Sequence, residues 1–76
     1  MEDTSVLDAR GLLCPLPVLK AAKRLRALGP GDELRLRADD PAAVIDVPHF
    51  CNEQGYQLVE TRDEGDAALY VIRKPA

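Results

Sequence analysis

Tryptophan is absent from this chain, and its only aromatic residues are one Phe and two Tyr. So few rings argue against a platform on which single-stranded nucleic acid would stack. Histidine and serine occur once each, as His49 and Ser5, which all but excludes a Ser-His-Asp hydrolase. Two cysteines, Cys14 and Cys51, are too few for a disulfide-stapled mini-domain or a zinc finger. No apolar run approaches the roughly 20 residues of a membrane span. The acidic start Met1-Glu2-Asp3-Thr4-Ser5 lacks the charged-then-apolar pattern of an export signal. The expectation is a cytoplasmic protein with no membrane contact and both thiols reduced, so a Cys14–Cys51 disulfide is not expected.

What is present reads as one globular domain over residues 1–76. Hydrophobic residues make up 46% and charged residues 30%, too apolar for intrinsic disorder. A chain this short buries only about 60% of its unfolded surface, so its core must be used economically. Net charge is −3, which speaks against direct nucleic-acid binding driven by overall charge.

Periodicity predicts the order strand-helix-strand-helix-strand-strand. Ser5 to Ala9 is a short strand with Leu7 and Ala9 on one side and Asp8 on the other. The loop Arg10-Gly11-Leu12-Leu13 leads to Cys14-Pro15-Leu16-Pro17. Proline lacks an N–H and has a fixed φ, so two prolines here place a helix start immediately after Cys14. That helix runs to about Leu28, with Val18, Ala21, Ala22, Leu25 and Leu28 on one stripe. Gly29 is expected to supply the left-handed stop. Asp32 to Ala38 alternates, with Leu34, Leu36 and Ala38 against Glu33, Arg35 and Arg37. A strand with one wet face belongs to a two-layer sandwich with helices on one side only. Asp39-Asp40-Pro41 is a second helix start. Pro48 suggests a short first turn from Pro41, then a restart capped by Asp46, ending at Gln54 and Gly55. Tyr56 to Thr61 and Ala67 to Lys74 form a hairpin through Asp63-Glu64-Gly65-Asp66. Ala67 to Ile72 lacks alternation, which suits a central strand.

Cys14 is the chemically loaded residue. It precedes a helix whose first turn has free N–H groups and the positive end of the macrodipole, so its thiolate is expected to be favoured. Arg10 and Lys20 would add positive potential, and Gly11 would let the preceding loop turn tightly. Pro15 and Pro17 hold the sulfur out of the helix. If the first helix crosses over right-handedly to a parallel second strand, Asp39 and Asp40 emerge at the same sheet edge. The result is a contact surface rather than a pocket. Cys51, beside Phe50 and near Val47, is expected to be a buried structural thiol. His49 and Cys51 lie two apart and share no helix face, so no metal site is read here and no cofactor is implied. The cations Lys20, Lys23, Arg24 and Arg26 form either a solvated helix face or a docking surface for an acidic partner. Asp39-Asp40 is a helix cap or a cation-binding pair.

These residues resemble a known family. Leu7-Asp8-Ala9-Arg10-Gly11-Leu12-Leu13-Cys14-Pro15-Leu16-Pro17-Val18 is similar to the signature of the TusA/SirA-like sulfur carriers. So are Asp39-Asp40-Pro41, Asp46-Val47-Pro48-His49-Phe50-Cys51, Gly55-Tyr56 and Ile72-Arg73-Lys74. The resemblance implies a β-α-β-α-β-β two-layer α/β sandwich with a mixed four-stranded sheet, similar to the C-terminal domain of translation initiation factor three. It implies that Cys14 accepts sulfane sulfur as a persulfide and relays it. The donor would be a cysteine desulfurase or a rhodanese-type protein, and the recipient a downstream sulfur-acceptor protein. Family members serve tRNA 2-thiolation, molybdenum-cofactor supply or sulfur oxidation. Members of the tRNA branch often carry an acidic residue where this chain has Leu16. The relay needs no general acid or base of its own, so the resemblance implies a sulfurtransferase-type carrier rather than a free-standing catalyst. Arg10, Lys20, Arg24, Asp39 and Asp40 are the expected partner-binding residues. The competing reading is a non-catalytic regulatory or interaction module in which Cys14 is redox-sensing or structural.

Overall fold

Two parallel strands, each followed by a helix, bring both helix starts to one edge of the sheet. The computed structural model describes residues 4–75; Met1-Glu2-Asp3 of the acidic start lie outside them. The elements are β1 (Thr4–Asp8), α1 (Leu16–Ala27), β2 (Glu33–Ala38), α2 (Ala43–Gln54), β3 (Gln57–Asp63) and β4 (Ala68–Arg73). The strands form one sheet in the order β1-β2-β4-β3. β1 and β2 are parallel, while β4 runs antiparallel to both β2 and β3. The hairpin and the central position of β4 agree with the sequence pattern, and the mixed sheet agrees with what the family resemblance implies.

One face of the sheet makes the core. Leu34, Leu36 and Ala38 of β2, with Tyr70 and Ile72 of β4, meet Ala21 and Leu25 of α1 and Val47, Phe50 and Cys51 of α2. Burying a large apolar side chain here contributes about 1.5–3 kcal/mol as an upper bound. Phe50 and Tyr56 add a tilted ring pair with centroids 5.7 Å apart. The opposite face is wet, yet Leu69 and Val71 of β4 are buried there as well. Leu69 stands between Arg37 and Arg62, and Val71 between Arg35 and Glu60. Long charged side chains can shield apolar neighbours with their stems while their heads stay in water. Ion pairs Arg37–Glu64, Arg62–Glu60 and Arg73–Glu33 hold several of those heads in place. In the outer strand β3 a register shift falls between Leu58 and Glu60, and Val59 there is exposed.

Two local expectations are corrected. Gly29 is not left-handed; the positive φ belongs to Gly31, at 84°. Leu28 leaves α1 in an extended conformation, and Lys74 Nζ donates to its carbonyl at 2.7 Å. Gly29 N–H donates to Asp32 Oδ2 at 2.8 Å, so the chain reverses two residues later than glycine position alone suggested. Pro48 does not interrupt α2 either, which is continuous with Pro48 inside it. The N–H that proline lacks would have bonded the Val44 carbonyl one turn earlier. Val44 and Pro48 are both exposed, so water can serve that carbonyl. Asp46 therefore caps no second helix. The lead-in is made by Asp40, whose carboxylate accepts from Ala42 N–H and whose carbonyl accepts from Ala43 N–H. Gly55, at φ 76°, closes the helix as expected.

Candidate functional site

Between β1 and α1 the chain must turn sharply, and Gly11 makes this possible at φ 83°, a conformation that a side chain disfavours. Gly11 N–H donates to Asp39 Oδ1 at 2.9 Å. Cys14 N–H donates to Asp40 Oδ2. The loop before the first helix is thus tied by two backbone donors to the acidic pair that follows β2. Pro15 occupies the cap position of α1 and Pro17 lies in its first turn, so the sulfur stands outside the helix, as expected. Cys14 is exposed, on a shallow cleft lined by Pro15, Pro17, Val18, Asp40, Ala43 and Asp46.

The surroundings of the sulfur are not those expected from helix position. Cys14 Sγ donates to Asp46 Oδ2 at 2.7 Å. That hydrogen bond, then partial desolvation, then the charges of Asp46 and Asp40 push the Cys14 thiol up from its ordinary value. A carboxylate can only accept, so it favours the protonated sulfur. Acids at contact distance oppose the positive ends of the helices there. Arg10, expected to help the thiolate, is taken up elsewhere. Its Nε and Nη2 donate to the Asp8 carboxylate at 2.9 and 2.8 Å and hold Asp8 down at about 2. Lys20 and Arg24 line a different cleft with Leu7, Lys23 and Ala27, and Arg24 Nη1 donates to the Val6 carbonyl at 3.3 Å. Of the five residues named for partner binding, Asp40 lines the Cys14 cleft, Asp39 holds Gly11 of the same loop, Arg10 is paired with Asp8, and Lys20 and Arg24 line the other cleft.

Sequence reasoning missed Asp46 as a site residue, reading it as a cap. A signal was available: the crossover that brings Asp39 and Asp40 to the Cys14 edge brings the first turn of α2 with them. It also passed over an exposed apolar collar. Leu13 is 70% exposed and Leu16 44%, on the Cys14 side; Val44 is 63% exposed and Ile45 75%, beside Asp46.

The second thiol has opposite properties. Cys51 is 2% exposed, and burial pushes it up to about 11. Both cysteines are free. His49 is a surface residue, with Nε2 3.4 Å from Glu53. Among the described residues no cluster of His, Cys, Asp and Glu is arranged to hold a metal ion, and no helix is long and apolar enough to cross a membrane.

A β-α-β-α-β-β sandwich with one exposed cysteine at the mouth of its first helix defines a small α+β fold that offers one of its two thiols to solvent. The family described as sulfurtransferase TusA matches residues 5–74, and the chain belongs to it. It is 44% identical over 72 residues to the sulfur carrier protein TusA of Pseudomonas aeruginosa, covering 95% of this chain and 91% of that protein. It is 43% identical over 68 residues to the sulfur carrier protein TusA of Allochromatium vinosum, covering 90% of each. The fold matches the crystal structure of a SirA-like protein from Desulfitobacterium hafniense with a TM-score of 0.81. That match has 26% identity and covers 93% of this chain and 97% of the other.

Proposed function

We propose that this protein is a sulfur carrier that accepts sulfane sulfur on Cys14 as a persulfide and hands it to an acceptor protein. The observation that carries the reading is the contrast between its two thiols. Cys14 is exposed beside a collar of apolar side chains, while Cys51 is sealed in the core. A relay needs its sulfur on the surface, where two proteins meet. Membership of the TusA family supports the chemistry. Gly11, Pro15 and Pro17 act as supports that shape the loop and hold the sulfur outside α1. The exchange is a displacement. The Cys14 sulfur attacks the terminal sulfur of a donor persulfide, the S–S bond of the donor breaks, and the electron pair leaves on the donor's own sulfur. The proton released by Cys14 ends on that leaving sulfur, so no external oxidant or reductant is consumed.

The donor is a cysteine desulfurase or a rhodanese-type protein in the cytoplasm, and the recipient a sulfur-acceptor protein. Asp39 and Asp40 belong to the contact surface by position. Lys20 and Arg24 offer a separate basic patch, on which an acidic partner segment would rest. The test is incubation with a cysteine desulfurase and cysteine, followed by peptide mass spectrometry. One added sulfur atom on the peptide holding Cys14, absent from Cys14→Ser, is the expected result. Sulfur on Cys51 alone, or on neither thiol with any donor, overturns the reading.

A further inference from the structure

We propose that Asp46 sets the poise of the carrier: it holds the empty Cys14 as a neutral thiol and repels the persulfide anion once sulfur is loaded, favouring its release. The inference rests on Cys14 being the sulfur-bearing residue and adds a residue to its working parts.

Asp46 lies in the first turn of α2, where an acidic side chain ordinarily interacts with free backbone N–H groups. Its carboxylate is instead in contact with Cys14 Sγ, at 2.7 Å. The groups facing that sulfur from the elements around it are Asp46 of α2 and Asp40 of the turn before it, both acidic. No basic side chain lines the cleft among the described residues. Asp40 is committed to backbone donors, from Cys14 and Ala42, which leaves Asp46 as the carboxylate that meets the thiol itself.

The consequence differs between the two states. An empty carrier offers an S–H donor to an acceptor, a favourable match. A persulfide is more acidic than a thiol and carries negative charge at neutral pH. It has no proton to give, and its charge faces two carboxylates. The same side chain therefore steadies the empty state and disfavours the full one. In the exchange Cys14–SH + R–S–S⁻ → Cys14–S–S⁻ + R–SH the equilibrium is drawn toward the left for loading. The onward step, where the carrier returns to its thiol, is drawn forward. A carrier must surrender what it accepts, and an acidic neighbour at its sulfur biases it to do so.

The experiment compares full-length wild type with Asp46→Asn, Asp46→Ser and Asp46→Glu. Alkylation of Cys14 by iodoacetamide is followed against pH. The loaded fraction is read by intact mass at equilibrium with glutathione persulfide and glutathione. Neutral Asn or Ser should move the alkylation profile to lower pH and raise the loaded-to-empty ratio roughly fivefold, the effect of one unit charge about 4 Å away in water. Glu should keep both near wild type. Two neutral substitutions guard against one that fails to fold. If both alkylate and load as wild type does, Asp46 has no such role and the inference is overturned, while loading at Cys14 still stands. If no variant and no wild type gains sulfur at Cys14, the carrier reading itself fails.

Discussion

A sulfur and a hydroxyl in the core make opposite demands on their surroundings. Cys51 is a small apolar group that fits the interior without partners. Cys51→Ser should cost about 1–3 kcal/mol, because a buried hydroxyl is left without compensation. Urea unfolding reads the loss, and sulfur loading should be unaffected. Tyr70 is the converse. It is 1% exposed, and its hydroxyl has no hydrogen-bond partner among the described residues. Tyr70→Phe removes that group and should raise stability by about 1 kcal/mol; a lower urea midpoint would show that the hydroxyl is served after all. The placement of the two cysteines, one exposed and one buried, was legible from local sequence, since one sits between a glycine loop and a double-proline helix start and the other beside Phe50. The acidic surroundings of Cys14 were not legible. They depend on Asp46, 32 positions away in sequence, and a contact of that range is set by the crossover rather than by the motif.

At the scale of elements, the loop from Gly11 to Cys14 and the first turn of α2 act as one unit. Gly11→Ala should lower stability by about 1 kcal/mol from the left-handed backbone alone, since nothing lies within 4 Å of an added Cβ there. Thermal unfolding measures it. The apolar collar leads to a second expectation. Leu13→Ser and Ile45→Ser should leave folding and loading from glutathione persulfide unchanged. Each should slow transfer from a protein donor by up to about tenfold, the equivalent of ~1.4 kcal/mol of lost contact. Equal slowing with both donors would place the effect on the chemistry rather than on docking. Alternation in β2 and the 3.6-residue stripe of α1 were read from the sequence because each follows from one buried face. The continuity of α2 through Pro48 was hidden, because solvent access to one carbonyl decided it. The stop at Gly29 was displaced by Lys74, a residue from the far end of the chain.

Across the whole molecule, stability should form a plateau in pH with two arms. The Arg10 hydrogen bonds hold Asp8 at about 2, and Arg37 lowers Glu64. Depressed carboxyls stabilise the fold above their unfolded values near 4. That contribution is lost as pH falls from about 4 toward 2. Cys51 stays protonated to about 11, and burial raises Tyr70 in the same direction. Raised groups stabilise below their unfolded values and lose that contribution as pH climbs above about 8.5 toward 11. Urea midpoints measured across the range should fall at both ends; a flat alkaline side would mean that Cys51 is reached by solvent. Salt should weaken the acid arm more than the alkaline one, because Asp8 and Arg10 are exposed charges and Cys51 is not.

The register shift between Leu58 and Glu60 lies on an outer strand of the sheet, where an unpaired row of N–H and C=O groups faces outward. Such a row is a template on which another chain can zip, and an irregular spacing spoils the match. The charged run Glu60, Arg62 and Asp63 along the same strand makes a second copy a poor fit there. A small sheet protein with exposed apolar side chains runs a standing risk of growing into ribbons. This one displaces a single residue in its border strand, and that irregularity opposes growth along that side from the first rung.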